Sequence, residues 1–202
     1  MADTWSHRLV RPLVRPLIRI HARPNQVTFV HLLLGLGSLA GIALGDDRMR
    51  FWGGVAWLFA CLLDRLDGEL ARIGEMRSAF GHRFDYLVDM WLASLFFVAI
   101  GWSVQGAHHG LAVAGGAAAC AIQLINAQVA ERFDSSSGDE GRVLGSRWGF
   151  DADDALYILG PLAWLPVPWR LAVAVLSAFG TAAFLVIFLL RLRGLRARQR
   201  SD

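Results

Sequence analysis

The chain has 202 residues, 55% of them apolar and 18% charged, with a formal net charge of +3. That length fits one domain, and that composition belongs to a membrane protein rather than a soluble globular one. All 20 basic residues are arginines, crowded at both termini without the aromatic interleaving of a nucleic-acid site, so the charge points to an anionic lipid surface and to no nucleic-acid partner.

Residues 5–23, WSHRLVRPLVRPLIRIHAR, repeat a basic–apolar unit. Arg8, Arg11, Arg15 and Arg19 recur at helical spacing and make one basic face, while Leu9, Leu13, Leu17 and Ile20 make an apolar one. Pro12 and Pro16 weaken a long regular helix. Segment 1–23 therefore reads as an amphipathic basic element lying in the membrane interface, with a disordered basic tail as the alternative. No cleavable signal sequence is visible, because the first long apolar run follows these arginines and prolines.

Pro24-Asn25-Gln26-Val27-Thr28 opens that run with a helix-start signal, in which Asn25 and Thr28 read as capping residues. Six spans can be drawn, at 27–45, 51–73, 84–105, 110–131, 154–168 and 170–191, against the ~20 helical residues a hydrocarbon core needs. The fifth is short and carries Pro161. Gly37, Gly41 and Gly45 recur every four residues, as in close helix–helix contacts. Cys61 and Cys120 lie in apolar runs and read as packing residues without a disulfide. The expected fold class is an all-α integral membrane protein: six transmembrane helices within residues 24–192, an N-terminal amphipathic interfacial helix in 1–23, and a basic cytoplasmic tail at 193–202.

Where the second span gives way to the third, the chain reads DRLDGELARIGEMRSAFGHRFDYLVD, from Asp64 to Asp89. Asp64 and Asp67 share one helical face, as do Asp85 and Asp89. One pair closes the run that starts at Phe51, and the other opens the run that ends near Val104, so a helical hairpin brings all four to one level. Converging carboxylates repel one another and are costly to desolvate unless a cation or proton neutralises them. Oxygen donors favour magnesium, calcium or manganese over zinc or copper. Two such ions would form a clamp suited to phosphoryl chemistry. Gly68, Ala71 and Gly81 are small and leave room for a bulky ligand near the helix backbone. Glu69 and Glu75 read as solvated loop residues, and His82 as an exposed histidine.

The loop after the fourth span, ERFDSSSGDEGRVLGSRWGFDADD, carries Arg132, Arg142 and Arg147, and its SSSGDEG stretch is turn-like. Asp151, Asp153 and Asp154 read as caps of the fifth span. Arginine counts set the orientation: Arg48, Arg50 and Arg170 are alone on one side, and the remaining clusters lie on the other. The asymmetry places both termini and the aspartates in the cytoplasm.

Written out, D-x2-D-G-x2-A-R-x8-G-x3-D-x3-D, from Asp64 through Asp67, Gly68, Ala71, Arg72, Gly81 and Asp85 to Asp89, resembles the signature of the CDP-alcohol phosphotransferases at all eight defined positions. The resemblance implies a bacterial-type inner-membrane enzyme of phospholipid biosynthesis. Such an enzyme moves a phosphoalcohol group from a CDP-alcohol donor, CDP-diacylglycerol foremost, to the hydroxyl of a small alcohol or alcohol-phosphate acceptor, and releases CMP. By the same resemblance Asp64, Asp67, Asp85 and Asp89 hold two magnesium ions, or manganese in their place, and Asp89 is also the general base. Gly68, Ala71, Arg72 and Gly81 contact the cytidine diphosphate, with Arg72 as a positive-inside anchor the alternative. The P-N-x-(I/V)-T opening of the first span resembles the same family, which adds Asn25 and Thr28 near the nucleotide. The resemblance also implies a homodimer. Arg132, Arg142 and Arg147 are acceptor-phosphate candidates or, equally, topology determinants. Two other functions compete: the same fold with a soluble donor such as CDP-inositol, and a divalent-cation transporter, which predicts flux without CMP release.

Overall fold

The computed structural model describes residues 5–137 and 156–199, and the side chains of 5–131 and 156–190. Its elements are helices: α1 (Trp5–Arg19), α2 (Pro24–Leu44), α3 (Asp47–Ile73), α4 (Ala79–Trp102), α5 (His109–Ser137), α6 (Leu156–Leu162) and α7 (Val167–Gln199). Four of them are long and apolar enough to cross a bilayer: α2, α4, α5 as far as Glu131, and α7 as far as Leu190. Their outer faces carry exposed Phe29, Leu33 and Leu36 on α2, and Leu176, Phe179 and Ile187 on α7. A lipid bilayer covers such area without the cost that water imposes. The architecture is all-helical and multi-pass.

The other two expected spans differ from these four. At 27 residues α3 is long enough, but it carries Arg48 and Arg50 in its first turns and Asp64, Arg65, Asp67, Glu69 and Arg72 towards its end. α6 has seven residues around Pro161. It ends in a turn in which the Ala163 N–H donates to Gly160 O at 3.1 Å, and α7 follows. Asp151, Asp153 and Asp154 lie outside the described residues. α5 continues to Ser137, past its expected end at 131 and into the stretch read as a turn.

α1 runs unbroken through Pro12 and Pro16. Both prolines lie on the exposed side of the helix, away from its packed face. The helix closes in a Schellman turn: Ala22 N–H donates to Leu17 O and His21 N–H to Ile18 O, with His21 at φ 58°. Its buried face is Ser6, Val10 and Val14, and the two valines pack with Leu66 and Leu70 of α3. Of the expected apolar face, Leu9, Leu13 and Ile20 point outward instead, while Leu17 is partly buried against that same cluster.

α2, α3 and α4 meet along small residues. Ser38 Oγ donates to Gly53 O at 2.7 Å, and a Cβ on Gly41 would stand 3.6 Å from Gly53 Cα, so these two helices touch almost backbone to backbone. Gly37 shares the four-residue repeat but faces open space. The core is built on Trp57, Phe96, Ile42, Leu92 and Ile100. Trp57 and Phe96 lie 5.0 Å apart, and the buried Trp57 Nε1 donates to Leu156 O at 2.9 Å, which ties α6 to the bundle. Cys61 and Cys120 are both buried and free.

Candidate functional site

The site is built by the turn between α3 and α4. α3 stops at Ile73 because Gly74 N–H donates to Leu70 O and Met76 N–H to Ala71 O, with Glu75 at φ 54° reversing the chain. Glu75 is exposed, as expected of a loop residue. Ser78 caps α4 by accepting the Gly81 N–H at 3.0 Å. The hairpin brings the two aspartate pairs together. Ligand oxygens of Asp64, Asp67 and Asp85 all lie within 4.8 Å of one another, and so do those of Asp64 and Asp89 with a ring nitrogen of His31. Asp64 belongs to both groups. The donors are oxygens with one imidazole, partly shielded from water, a set that fits magnesium or manganese better than a soft metal.

An open cleft of ≈ 390 Å³ leads to the first group, lined by Asn25, Thr28, Asp67, Gly68, Ala71, Gly81, His82 and Asp85 among others. A Cβ on Gly68 would meet nothing within 4 Å, so a larger residue there would project into space left for a ligand. A Cβ on Gly81 would meet Asn25 Oδ1 at 2.9 Å and Ser78 Oγ at 3.0 Å. Gly81 is thus required by the α2–α4 contact as well as by the cleft.

Several residues have roles that local pattern does not reveal. Thr28 is buried, and its hydroxyl lies 2.6 Å from Asp67 Oδ2 and 3.2 Å from Pro24 O. One hydroxyl proton serves one acceptor well, and the short contact to the carboxylate takes it. Thr28 therefore orients Asp67, while the first-turn bond of α2 runs from Arg23 N–H to Gln26 Oε1 at 2.9 Å. Capping thus falls to Gln26 rather than to Asn25 or Thr28. His31, one turn further along α2, is 5% exposed, with Nδ1 3.8 Å from Asp89 Oδ1.

Glu69 corrects the sequence reading. It is 3% exposed, not solvated, because α1 lies over it. His7 Nδ1 is 2.8 Å from Oε1, Arg11 Nε is 3.5 Å from Oε2, and an Arg72 guanidinium nitrogen is 3.0 and 2.7 Å from the two oxygens. Arg72 thus turns to Glu69 and is not among the cleft-lining residues. His82 is at the cleft and exposed, with Nε2 3.8 Å from Glu131 Oε1. Arg77 also lines the cleft. Arg132 falls in α5 beyond the described side chains, and Arg142 and Arg147 lie outside the described residues.

Residues 21–193 match the profile of the CDP-alcohol phosphatidyltransferases. The chain is 31% identical over 96 residues to a phosphatidylinositol phosphate synthase of Mycobacteroides abscessus, covering 47% of this chain and 42% of that protein. It is 31% identical over 155 residues to a bifunctional IPC transferase and DIPP synthase of Rubrobacter xylanophilus, covering 76% and 34%. A third relative, an uncharacterized protein of Aquifex aeolicus, is 33% identical over 98 residues, covering 48% of each chain. The matches thus span less than half the length of these curated relatives.

Proposed function

The chain belongs to the CDP-alcohol phosphatidyltransferase family, and on that premise we propose that it transfers a phosphatidyl group from CDP-diacylglycerol to the hydroxyl of a small alcohol or alcohol-phosphate acceptor. The observation that carries the reading is the convergence of Asp64, Asp67, Asp85 and Asp89 at the head of a cleft lined by small residues. The acceptor oxygen bonds to the phosphorus bearing the lipid, the phosphorus–oxygen bond to CMP breaks, and the acceptor proton passes to Asp89. Asp64, Asp67, Asp85 and Asp89 would hold two divalent cations. When bound, these neutralise the pyrophosphate and the charge that develops on departing CMP. Thr28 fixes the Asp67 carboxylate, and Asn25, Gly68, Ala71 and Gly81 form the bed for the cytidine diphosphate. A carboxylate is a weak base, so positioning of the acceptor contributes more than proton abstraction.

The membrane arrangement belongs to the same proposal. Six spans, with α3 crossing despite its charged ends and the 154–168 segment crossing despite its short α6, put both termini and the cleft in the cytoplasm of a bacterial-type inner membrane. α1 lies in the interface, its leucines towards lipid and its Glu69 contacts towards α3. The enzyme works as a homodimer. Arg132, Arg142 and Arg147 bind an acceptor phosphate. The test is incubation of purified protein with magnesium, CDP-diacylglycerol and a panel of acceptors, followed by mass analysis of the lipid product. A phosphodiester product with stoichiometric CMP supports the proposal. Product from soluble CDP-inositol alone would replace the donor, and cation flux into vesicles without CMP would replace the function.

A further inference from the structure

At the opposite end of the bundle lies a second cavity, of ≈ 320 Å³, lined by Asp47, Arg50, Phe51, Trp164, Val167 and Arg170 among others. Arg50 and Asp67 are on one helix, 17 positions apart, so about 25 Å of α3 separates this cavity from the aspartate cleft. Arg170, expected to be a loop arginine, is 3% exposed. One guanidinium nitrogen donates to the neutral Ser103 Oγ at 3.2 Å, and its Nε is buried without a hydrogen-bond acceptor. Among the described residues no carboxylate is in ion-pair contact with it. Arg50 is also largely buried. It reaches Asp47 Oδ1 at 2.5 Å and Gly45 O at 2.9 Å, and its Nε too is buried without an acceptor. The Asp47 side chain is itself fully exposed. Two guanidinium groups thus face one cavity with a single, solvated carboxylate between them.

A buried cation without a counter-ion is costly, and guanidinium groups pair best with planar or tetrahedral oxyanions. We propose that this cavity binds the phosphate group of an anionic phospholipid, a site separate from the catalytic cleft. The surroundings favour a lipid as the source of that phosphate. Phe51 and Trp164 stack at 5.3 Å and, with Leu165 and Val167, give the cavity an apolar wall that acyl chains can cover. Trp52, Trp102, Trp164 and Trp169 are exposed at this end, where tryptophans mark the headgroup level of a bilayer.

The test uses the detergent-purified full chain and counts bound lipid by native mass spectrometry while phosphatidylglycerol, phosphatidylcholine or inorganic phosphate is added. The expected result is one retained phosphatidylglycerol in preference to phosphatidylcholine. Arg170→Gln should bind it at least ~10-fold more weakly, the loss expected for one charge-assisted contact, and Arg48→Gln should bind it normally. CMP release reports that the variant is folded. If Arg170→Gln does not fold, Arg50→Gln carries the same expectation. Equal binding by the folded variant and the wild type, or no preference for the anionic lipid, overturns the proposal. If inorganic phosphate at comparable concentration displaces the lipid, the occupant is the free anion and the lipid assignment falls.

Discussion

Thr28→Val tests whether a hydroxyl on α2 controls a carboxylate on α3. The substitution keeps the side-chain shape and removes a donor 2.6 Å from Asp67 Oδ2 at a position 2% exposed. A hydrogen bond to a charged group contributes about 1.5–3 kcal/mol, which is roughly ten- to a hundredfold in an equilibrium constant. Residues that orient metal ligands carry effects of about the same size. Magnesium should therefore be needed at about ten- to a hundredfold higher concentration for half-maximal CMP release by the variant, while Thr28→Ser retains most of the wild-type affinity. Manganese titration followed by electron paramagnetic resonance measures the same loss without turnover. If Thr28→Val matches the wild type in both assays within about twofold, Thr28 does not orient Asp67. If only the apparent affinity for the CDP donor changes, Thr28 is a nucleotide ligand.

Glu69→Ala should free α1, because it removes the carboxylate shared by His7, Arg11 and Arg72. With Arg11 and Arg72 more than a third exposed, the cost is about 1–2 kcal/mol, read as a Tm a few degrees lower and earlier proteolysis between Arg19 and Pro24. Unchanged proteolysis and Tm would show that Val10 and Val14 alone hold the helix. Cysteines in place of Asp47, at the start of α3, and Ser78, just before α4, should label from opposite membrane faces, and labelling from one face refutes a crossing by α3. Arg132→Ala should raise the KM for a phosphorylated acceptor about ten- to a hundredfold with the donor KM nearly unchanged. An equal rise in both would make Arg132 structural.

The parts of the protein legible in sequence are those fixed by short-range periodicity. The apolar windows of α2, α4, α5 and α7 stand out because a helix in lipid needs side chains without charge over its whole length. The aspartates could be brought together on paper because spacings of three and four residues fix a helical face, and one turn closes the hairpin. What was hidden depends on contacts distant in sequence. Thr28 and Asp67 are 39 positions apart, and nothing near either residue announces the other. Glu69 has the local character of a solvated acid and becomes buried only when α1 folds over it. His31 lies in an apolar run and acquires its partners from α3 and α4. Arg170 looks like a loop charge until Ser103 and the start of α3 enclose it.

The most direct measurement is CMP release from CDP-diacylglycerol by protein stripped of metal, with magnesium titrated back, for the wild type and Asp85→Asn. The expected result is no release in chelator, recovery with magnesium, and a loss of more than ~10²-fold in the variant, the size expected when metal-based charge stabilisation is removed. CMP release in chelator, or near-wild-type turnover by Asp85→Asn, would contradict the claim that the converging aspartates hold the cations that drive the transfer.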